Sequence, residues 1–390
     1  MPRDLTDRIC DILGRLVAFD TTSSKSNLAL VAYIADLLGD SGAAVRRIPA
    51  PHLDKAALWV TIGPPERPGY VLSSHTDTVP VDGQSWSSAP FTLTRRGSRL
   101  YGRGTTDMKG FLAVCLALVP RMAAASLATP IQLAISYDEE VGCTGVRPLL
   151  AELTRNTVKP LGCFVGEPTS MAVIIGHKGK CGVRATVRGR GCHSALAPHG
   201  INAIEWAAEL IAAIRERARQ LAEIGPRDAL FEVPFTTGLV TMIDGGIATN
   251  IVPERCTLDF EFRAVRPHDS EAVAGDLVRG PGAEIARRLT ALDPACGIDF
   301  ETVLSYPGLD TAPSHALVTL SKQLAGRNDH GKVAFGTEAG LFTSMAAIPA
   351  VVIGPGNIEQ AHIADEYIEL DQLLAAAGFI ERLIEHCKAG

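Results

Sequence analysis

The chain has 390 residues, of which 46% are hydrophobic and 21% are charged, and its formal net charge at neutral pH is −6. This length allows two domains with a large core, and the composition is that of a globular protein. The negative charge, with no basic stripe against it, argues against a nucleic-acid partner.

Three features of the sequence bear on its location. The longest apolar run, Phe111–Val119, is far shorter than the roughly 20 residues that cross a bilayer, so we expect no membrane partner. Residues 1–16 mix charged with apolar side chains, as in an amphipathic helix rather than a signal peptide. The nine cysteines include no CxxC pair, which argues against a disulfide framework or a structural zinc knuckle. We therefore expect a cytoplasmic protein.

The first part of the chain alternates predicted helices with short apolar strands. Ser26 stands where it can cap a helix. The apolar runs that follow are continuous and bounded by Gly or Pro, which indicates strands covered on both faces, as in a parallel sheet. The predicted elements are the strands Ala57–Ile62 and Tyr70–Ser73, the helix Lys109–Ala124, the strand Ile131–Tyr137, the helix Thr144–Leu153 and the strand Cys163–Val165.

The pattern changes after about Lys178. Apolar and polar residues then alternate with a period of two, which indicates a sheet with one face in water. The alternation runs through residues 183–188 and 258–264, and the helical stretches are Ile201–Ile224 and Ser270–Leu289. These strands and helices predict a compact α+β domain of the ferredoxin-like type.

The α/β pattern returns from about residue 294. It predicts the helix Ala316–Leu324, the strand Ala347–Ile353 and the helix Asp371–His386. The predicted fold is therefore a two-domain α/β protein. One domain, residues 1–180 and 293–390, has a central, mostly parallel sheet, and it is interrupted by an inserted α+β ferredoxin-like domain of residues 181–292.

Acidic residues and histidines follow the strands of the α/β part. Divalent metals take carboxylate and imidazole ligands, and such ligands gather where strands end at one edge of an α/β sheet. An Asp two positions after a His, as in His75-Thr76-Asp77, can orient the imidazole instead of binding metal. The five places are His75-Thr76-Asp77, the Gly-rich loop around Asp107, Asp138-Glu139-Glu140, Glu167 and His362.

Each of these places has a simpler explanation when taken alone. A strand-end carboxylate is commonly a helix cap or a solvated turn residue, and Glu139-Glu140 could interact with a helix dipole. The Gly-rich loop lacks the GxxxxGK[ST] and GxGxxG spacings of phosphate-binding loops. Five such places in one α/β domain are hard to explain in this way, so the sequence predicts a metal site.

Several segments resemble the M20 family of metallopeptidases and deacylases. They occur in the family's order along nearly the whole chain: residues 74–80, 101–110, 138–140, 166–169 and 191–194. Residues 335–339, 354–362 and 364–367 most resemble the branch that acts on N2-acetyl-L-ornithine in arginine biosynthesis. The resemblance implies a catalytic α/β domain with an inserted dimerisation domain.

The resemblance also implies a site for two divalent ions, zinc ahead of cobalt or manganese. The implied ligands are Asp107 as a bridge, His75 and Glu167 for one ion, and Glu140 and His362 for the other. Asp77 is implied to hold His75, and Glu139 to be the general base. Two metal ions lower the pKa of a water molecule that they share, and a carboxylate can then take its proton.

The resemblance further implies a homodimer in which His193 and Asn250 act in the partner's site, with His193 as oxyanion donor. Arg263 could clamp the substrate's α-carboxylate or make a structural ion pair. Glu338 could bind the cationic side chain of the substrate or cap a turn, and Lys178 could lie at a hinge. A thiol nucleophile at Cys192 has no second histidine or acid nearby in sequence to support it.

The function implied is hydrolysis of a small N-acyl amino acid, releasing acetate and L-ornithine from N2-acetyl-L-ornithine. A relative that acts on succinyl-diaminopimelate, on another N-acyl amino acid or on a dipeptide shares the metal site and stays an alternative. A third hypothesis is a non-catalytic protein that binds an amino acid or a metal. Loss of a ligand or of the base would favour it, and none is missing from the sequence.

Overall fold

A computed structural model of the chain describes residues 3–155 and 158–388. They divide into two compact units. The first comprises the described residues up to Gly176, Leu309–Lys332 and those from Thr337 onward, and the second comprises His177–Gly308 and Val333–Gly336. In the described part of the chain, no helix is both long and apolar enough to cross a membrane.

Helices and strands alternate along the first unit until the second begins. The elements up to Val165 are α1 Arg3–Val17, α2 Leu28–Leu38, β1 Ala44–Pro49, β2 Ala56–Ile62, β3 Tyr70–His75, β4 Thr94–Arg96, β5 Arg99–Tyr101, α3 Gly110–Ala124, β6 Ile131–Ser136, α4 Val146–Leu153 and β7 Gly162–Val165. The next elements are β8 Ile174–His177, β9 Gly179–Arg188, α5 Ala203–Ile224, β10 Thr237–Gly245, β11 Arg255–Ala264, α6 Ser270–Leu277, α7 Ala283–Leu292 and β12 Gly297–Tyr306. The last are β13 Leu309–Asp310, α8 Ala316–Ala325, β14 Gly331–Val333, α9 Ala339–Ala346, β15 Ala350–Val352, β16 Tyr367–Glu369 and α10 Leu370–Cys387.

The first unit is built on a nine-stranded sheet with the order β1-β2-β6-β3-β7-β15-β8-β13, in which β14 pairs with β8. The four central strands β6, β3, β7 and β15 are parallel to their neighbours among these four. The pairs β1–β2, β2–β6 and β15–β8 are antiparallel. The predicted parallel sheet is thus confirmed at its centre, whereas the whole sheet is mixed.

Continuous apolar runs explain why the central strands are covered on both faces. Every residue of β2 and of β6 is buried, as expected for strands without polar alternation. The helix α3 is also buried along most of its length, which matches a sequence that is apolar all round. At the middle of this core, the rings of Phe164 and Phe379 meet edge to face with centroids 5.3 Å apart.

The second unit is an antiparallel sheet with the order β10-β11-β9-β12, and α5, α6 and α7 contribute to one hydrophobic core with it. Alternation places Val183, Ala185 and Val187 of β9 in that core. The βαββαβ element order confirms the ferredoxin-like prediction. The unit extends beyond the predicted boundary at residue 292, because β12 pairs with β9 from Gly297 to Tyr306.

Candidate metal centre

The four parallel strands β6, β3, β7 and β15 end at the same edge of the sheet, and a candidate metal ligand follows each end. This is the edge at which α/β sheets bind ligands. Glu139 and Glu140 follow β6, His75 ends β3, and Glu167 follows β7. The loop after β15 leads to His362.

His75 lies at the centre of this group and is fully buried. Its Nε2 is 3.0 Å from Asp107 Oδ1, and its Nδ1 is 3.0 Å from the carbonyl oxygen and 3.4 Å from Oδ1 of Asp77. Asp77 therefore contacts the side of the ring that faces away from Asp107. Its carboxylate also accepts hydrogen bonds from the backbone N–H groups of Glu139, at 3.1 Å, and Glu140, at 3.3 Å.

Asp107 lies between the two imidazoles. Its Oδ1 is 3.0 Å from His75 Nε2, and its Oδ2 is 3.1 Å from His362 Nε2. The same nitrogen of His362 is 3.1 Å from Glu140 Oε2. One carboxylate thus reaches both histidines, which is the position that the family resemblance implies for a bridging ligand.

Two overlapping groups of donor atoms lie close enough to hold a metal ion. One is His75, Asp107 and Glu140, and the other is His75, Glu139 and Glu167, with the donor atoms of each group within 4.8 Å of one another. Glu167 Oε1 is buried, lies 3.6 Å from His75 Nε2 and has no hydrogen-bond partner among the described residues. A buried carboxylate oxygen without a partner is costly unless a cation or a donor satisfies it.

The protonation equilibria of the group also favour a cation. Burial raises the pKa of Glu140 to about 7, and the negative charge of Asp107 adds to the shift. Burial likewise raises the pKa of Glu139 and of Glu167 well above the usual range. Hydrogen bonds to Asp107 and Glu140 raise the pKa of His362 to about 10. Carboxyl groups crowded in this way require positive charge to stay ionised.

The donor set therefore fits divalent metal ions. Imidazole nitrogens and carboxylate oxygens suit zinc, cobalt and manganese. The orphaned oxygen of Glu167 and the central place of Asp107 fit a centre that holds more than one ion. His75, Asp107, Glu140, Glu167 and His362 are the residues that would hold them.

Sequence reasoning missed two residues that support Asp77 and Asp138, the carboxylates beside these ligands. Ser23 Oγ donates to Asp77 Oδ2 at 2.7 Å, and Lys55 donates to both Asp138 and the carbonyl oxygen of Ser23. Lys55 is itself buried. No local motif marks Ser23 or Lys55, since their partners lie between 32 and 83 positions away along the chain.

Glu338 lies under the centre rather than at its surface. It is 1% exposed, and its carboxylate accepts hydrogen bonds from Ser73 Oγ and from Ser136 Oγ, the latter at 2.8 Å. These serines belong to the ends of β3 and β6. With both oxygens occupied by the sheet, a contact of Glu338 with a substrate stays a prediction, and the structure gives this carboxylate a role in joining two strand ends.

Four further predicted residues belong to the second unit. His193 is exposed, and its Nδ1 accepts a hydrogen bond from Ala195 N at 3.1 Å. Asn250 is adjacent, since its carbonyl oxygen accepts from Ser194 N at 2.9 Å. Arg263 donates to Glu261 at 2.8 Å, so it makes the structural ion pair that was one of its two predicted roles. Lys178 donates to the carbonyl oxygen of residue 235 at 2.7 Å.

Comparison with known proteins identifies the family. The profile of peptidase family M20/M25/M40 matches residues 71–386. The chain belongs to this family. Two similar proteins are named acetylornithine deacetylase. The one from Pectobacterium carotovorum is 31% identical over 95% of this chain and 93% of its own. The one from Photorhabdus laumondii is 32% identical with the same coverage.

Solved structures of M20 proteins share the fold. An M20 metallo-carboxypeptidase from Sulfolobus solfataricus is 19% identical with a TM-score of 0.78, covering 97% of this chain and 99% of its own. An aminopeptidase from Bacillus cereus is 21% identical with a TM-score of 0.76, covering 98% of each chain. A dinuclear metal-binding M20 peptidase from Bacillus subtilis is 14% identical with a TM-score of 0.65, covering 98% of each chain. Together, these findings support an M20 hydrolase that acts on amide bonds.

Proposed function

We propose that this M20 hydrolase uses two divalent metal ions, zinc in the first place, to remove the acetyl group from N2-acetyl-L-ornithine. The observation that carries the proposal is Asp107, whose two oxygens lie 3.0 Å and 3.1 Å from the imidazoles of His75 and His362. The substrate is supported by the relatives named acetylornithine deacetylase, which match 95% of the chain.

Glu139 is the residue proposed to move protons. When bound, two divalent ions polarise an amide carbonyl and lower the pKa of a water molecule. Glu139 would take one proton from that water on a carboxylate oxygen and give it to the amine nitrogen as the C–N bond breaks. The products are acetate and L-ornithine. Burial raises the pKa of Glu139 in the metal-free protein, so positive charge beside it would be needed to keep it ionised and able to accept this proton.

Asp77 would orient Glu139, the proposed base. Its carboxylate accepts from the backbone N–H groups of both Glu139 and Glu140 and contacts Nδ1 of His75. A single side chain thus fixes the base and two of the proposed ligands. Such supporting contacts orient metal ligands and tune them.

His193 is proposed to stabilise the oxyanion in the site of a second copy of the chain. Its Nδ1 accepts from Ala195 N–H, so the neutral ring carries its proton on Nε2 and can donate from there. Asn250, next to it, would contact the same substrate, and Arg263 would bind the substrate carboxylate if it leaves Glu261.

The edge strand β10 supports the homodimer that this arrangement needs. It lies at one end of the four-stranded sheet, where an unpaired edge invites a second strand. Its exposed apolar side chains include Leu239, Met242 and Ile243, which are 48%, 66% and 54% exposed. A second copy could pair along this edge about a two-fold axis.

A substrate panel tests the proposed function. We expect zinc-loaded protein to release acetate from N2-acetyl-L-ornithine with a kcat/KM about tenfold or more above that for N-succinyl-diaminopimelate, for other N-acyl amino acids and for dipeptides. If N2-acetyl-L-ornithine has a lower kcat/KM than one of the other substrates, the proposed substrate is wrong and the proposed mechanism still stands. Absence of turnover on every amide, with metal bound, would favour the non-catalytic alternative.

A further inference from the structure

The buried guanidinium of Arg103 joins two loops of the metal centre. Its Nη1 donates to Glu366 Oε2 at 2.8 Å, and its Nη2 donates to Gln84 Oε1 at 2.6 Å. The side chains of Arg103 and Glu366 are each 1% exposed, and the guanidinium carbon lies 5.0 Å from the centre of the Trp86 ring. A buried ion pair is weak evidence of added stability, so the role of this pair lies in the loops that its two partners hold.

Glu366 holds the backbone of the loop that carries Asp107. Its Oε2 accepts from Gly104 N at 2.9 Å, and its Oε1 accepts from Thr106 N at 2.9 Å and from Asp107 N at 3.1 Å. Hydrogen bonds to a charged acceptor are the stronger kind. The place of the Asp107 carboxylate therefore depends on Glu366, and Glu366 is neutralised by Arg103.

Gln84 holds the backbone of the loop that carries His362. Its Nε2 donates to the carbonyl oxygen of His362 at 3.0 Å, while its Oε1 accepts from Arg103 and from Trp86 Nε1, the latter at 3.1 Å. His362 has φ +61°, in the left-handed region that few residues other than glycine occupy. Such a backbone persists when its surroundings fix it, and Gln84 supplies one of those bonds.

We propose that Arg103 is a positioning residue that, through Glu366 and Gln84, sets the separation of Asp107 and His362. This inference rests on the metal centre of the proposed function. The fork of the guanidinium is required, because one side chain must reach two acceptors in different directions. The ion that Asp107, Glu140 and His362 would hold depends on this separation, whereas an ion held by His75 and Glu167 would share only Asp107 with it.

The test is a calorimetric titration of the metal-free, full-length protein with Zn²⁺. Gln84→Glu keeps an acceptor for Arg103 and removes the donor to His362, and Arg103→Lys keeps the charge beside Glu366 and removes the fork. We expect Gln84→Glu to weaken the binding of one of two Zn²⁺ equivalents by about 10–100-fold and to leave the other much less affected. Arg103→Lys, which also disturbs the loop of the shared Asp107, should weaken the same equivalent most. His362→Ala identifies which equivalent belongs to that histidine.

Arg99→Lys is the matched control. Arg99 pairs with Glu369 at 2.7 Å across β5 and β16, beside Arg103 and Glu366 in the chain, but on the surface. We expect the Arg99→Lys variant to bind both Zn²⁺ equivalents as the parent does.

The inference is overturned if Gln84→Glu and Arg103→Lys bind Zn²⁺ like the parent, or if Arg99→Lys weakens the binding of the same equivalent equally. A parent that binds fewer than two ions would overturn the metal centre as well. Two ions bound with the same affinities in the parent, in Gln84→Glu and in Arg103→Lys would overturn this inference alone. If Arg103→Lys does not fold, Gln84→Glu decides.

Discussion

His177 is a buried imidazole outside the metal centre, at the end of β8. It is 1% exposed, and its Nδ1 is 3.0 Å from the carbonyl oxygen of Lys178. Burial lowers its pKa from the usual 6.5 to about 4. The folded protein therefore binds this proton less readily than the unfolded chain does. Stability is lost as the pH falls from 6.5 toward 4, by about 3 kcal/mol in total.

Replacement of this ring separates its contribution from general acid denaturation. We expect His177→Gln to be less stable than the parent at pH 8, and the difference between their urea midpoints to shrink as the pH falls from 6.5 to 4. His52→Gln, which removes an exposed imidazole, is the control for loss of a histidine. A constant difference for His177→Gln would contradict the burial argument.

At the scale of elements, the ends of β7 and β15 approach so closely that only glycine fits between them. A Cβ at Gly354 would lie 2.0 Å from the carbonyl oxygen of Gly166 and 2.6 Å from that of Glu167. Neither atom belongs to a flexible side chain, so the strand ends must move apart to admit an alanine. We expect Gly354→Ala to cost roughly 1–3 kcal/mol and to weaken Zn²⁺ binding, because Glu167 shifts with its strand.

Thermal unfolding and Zn²⁺ titration of the metal-free protein measure both effects. Gly280→Ala provides the comparison, because a Cβ there would have no atom within 4 Å, and we expect an unchanged or slightly higher melting temperature from the lower entropy of the unfolded chain. A Gly354→Ala protein that melts and binds Zn²⁺ like the parent would show that these strand ends can separate at little cost.

At the scale of the whole molecule, the proposed homodimer can be tested by mixing two inactive variants. Glu139→Ala lacks the proposed base and should lose about 10²–10⁴-fold in activity, and His193→Ala lacks the proposed oxyanion donor. If His193 acts in the partner's site, a mixed dimer has one site with both groups. Subunit exchange of an equal mixture should then restore about a quarter of the parent activity per protomer.

The mixture distinguishes the two arrangements of the site. If each chain uses its own His193, no combination contains a complete site and the mixture stays inactive. Sedimentation of each variant before exchange checks that both are dimers. Met242→Glu, which places a charge on the exposed edge of β10, should give monomers if that edge is the interface.

Sequence patterns predicted the strands that position the centre better than they predicted the boundary of the second unit. The buried runs of β3, β6 and β7 end close to where they were expected, because apolar continuity and flanking Gly or Pro are local signals. The strand β12 was missed as part of the insertion. Its signal was present, since Ile298 and Phe300 alternate with acidic residues, but its membership depends on pairing with β9, more than 100 positions earlier.

The candidate site also combines residues that local sequence predicted with residues whose roles depend on distant contacts. The residues that the structure brings together around His75 were expected from their places at strand ends, and the family resemblance supplied their separate roles. Ser23, Gln84 and Glu366 received no role, because each acts on a backbone or carboxylate whose distance along the chain no local pattern encodes. The small sheet of β4, β5 and β16 was missed because its strands have three residues each.

The insertion of the second unit between Glu167 and His362 has a consequence for biosynthesis. Glu140 and His362 touch although they are 222 positions apart. On the ribosome, four of the five proposed ligands emerge before the second unit is made, and the fifth emerges after it, together with β15, the partner of β7 in the sheet. Contacts between such distant segments form late in folding. A nascent chain can therefore hold an incomplete metal centre while its second unit is being synthesised, and the centre closes only when the end of the chain arrives.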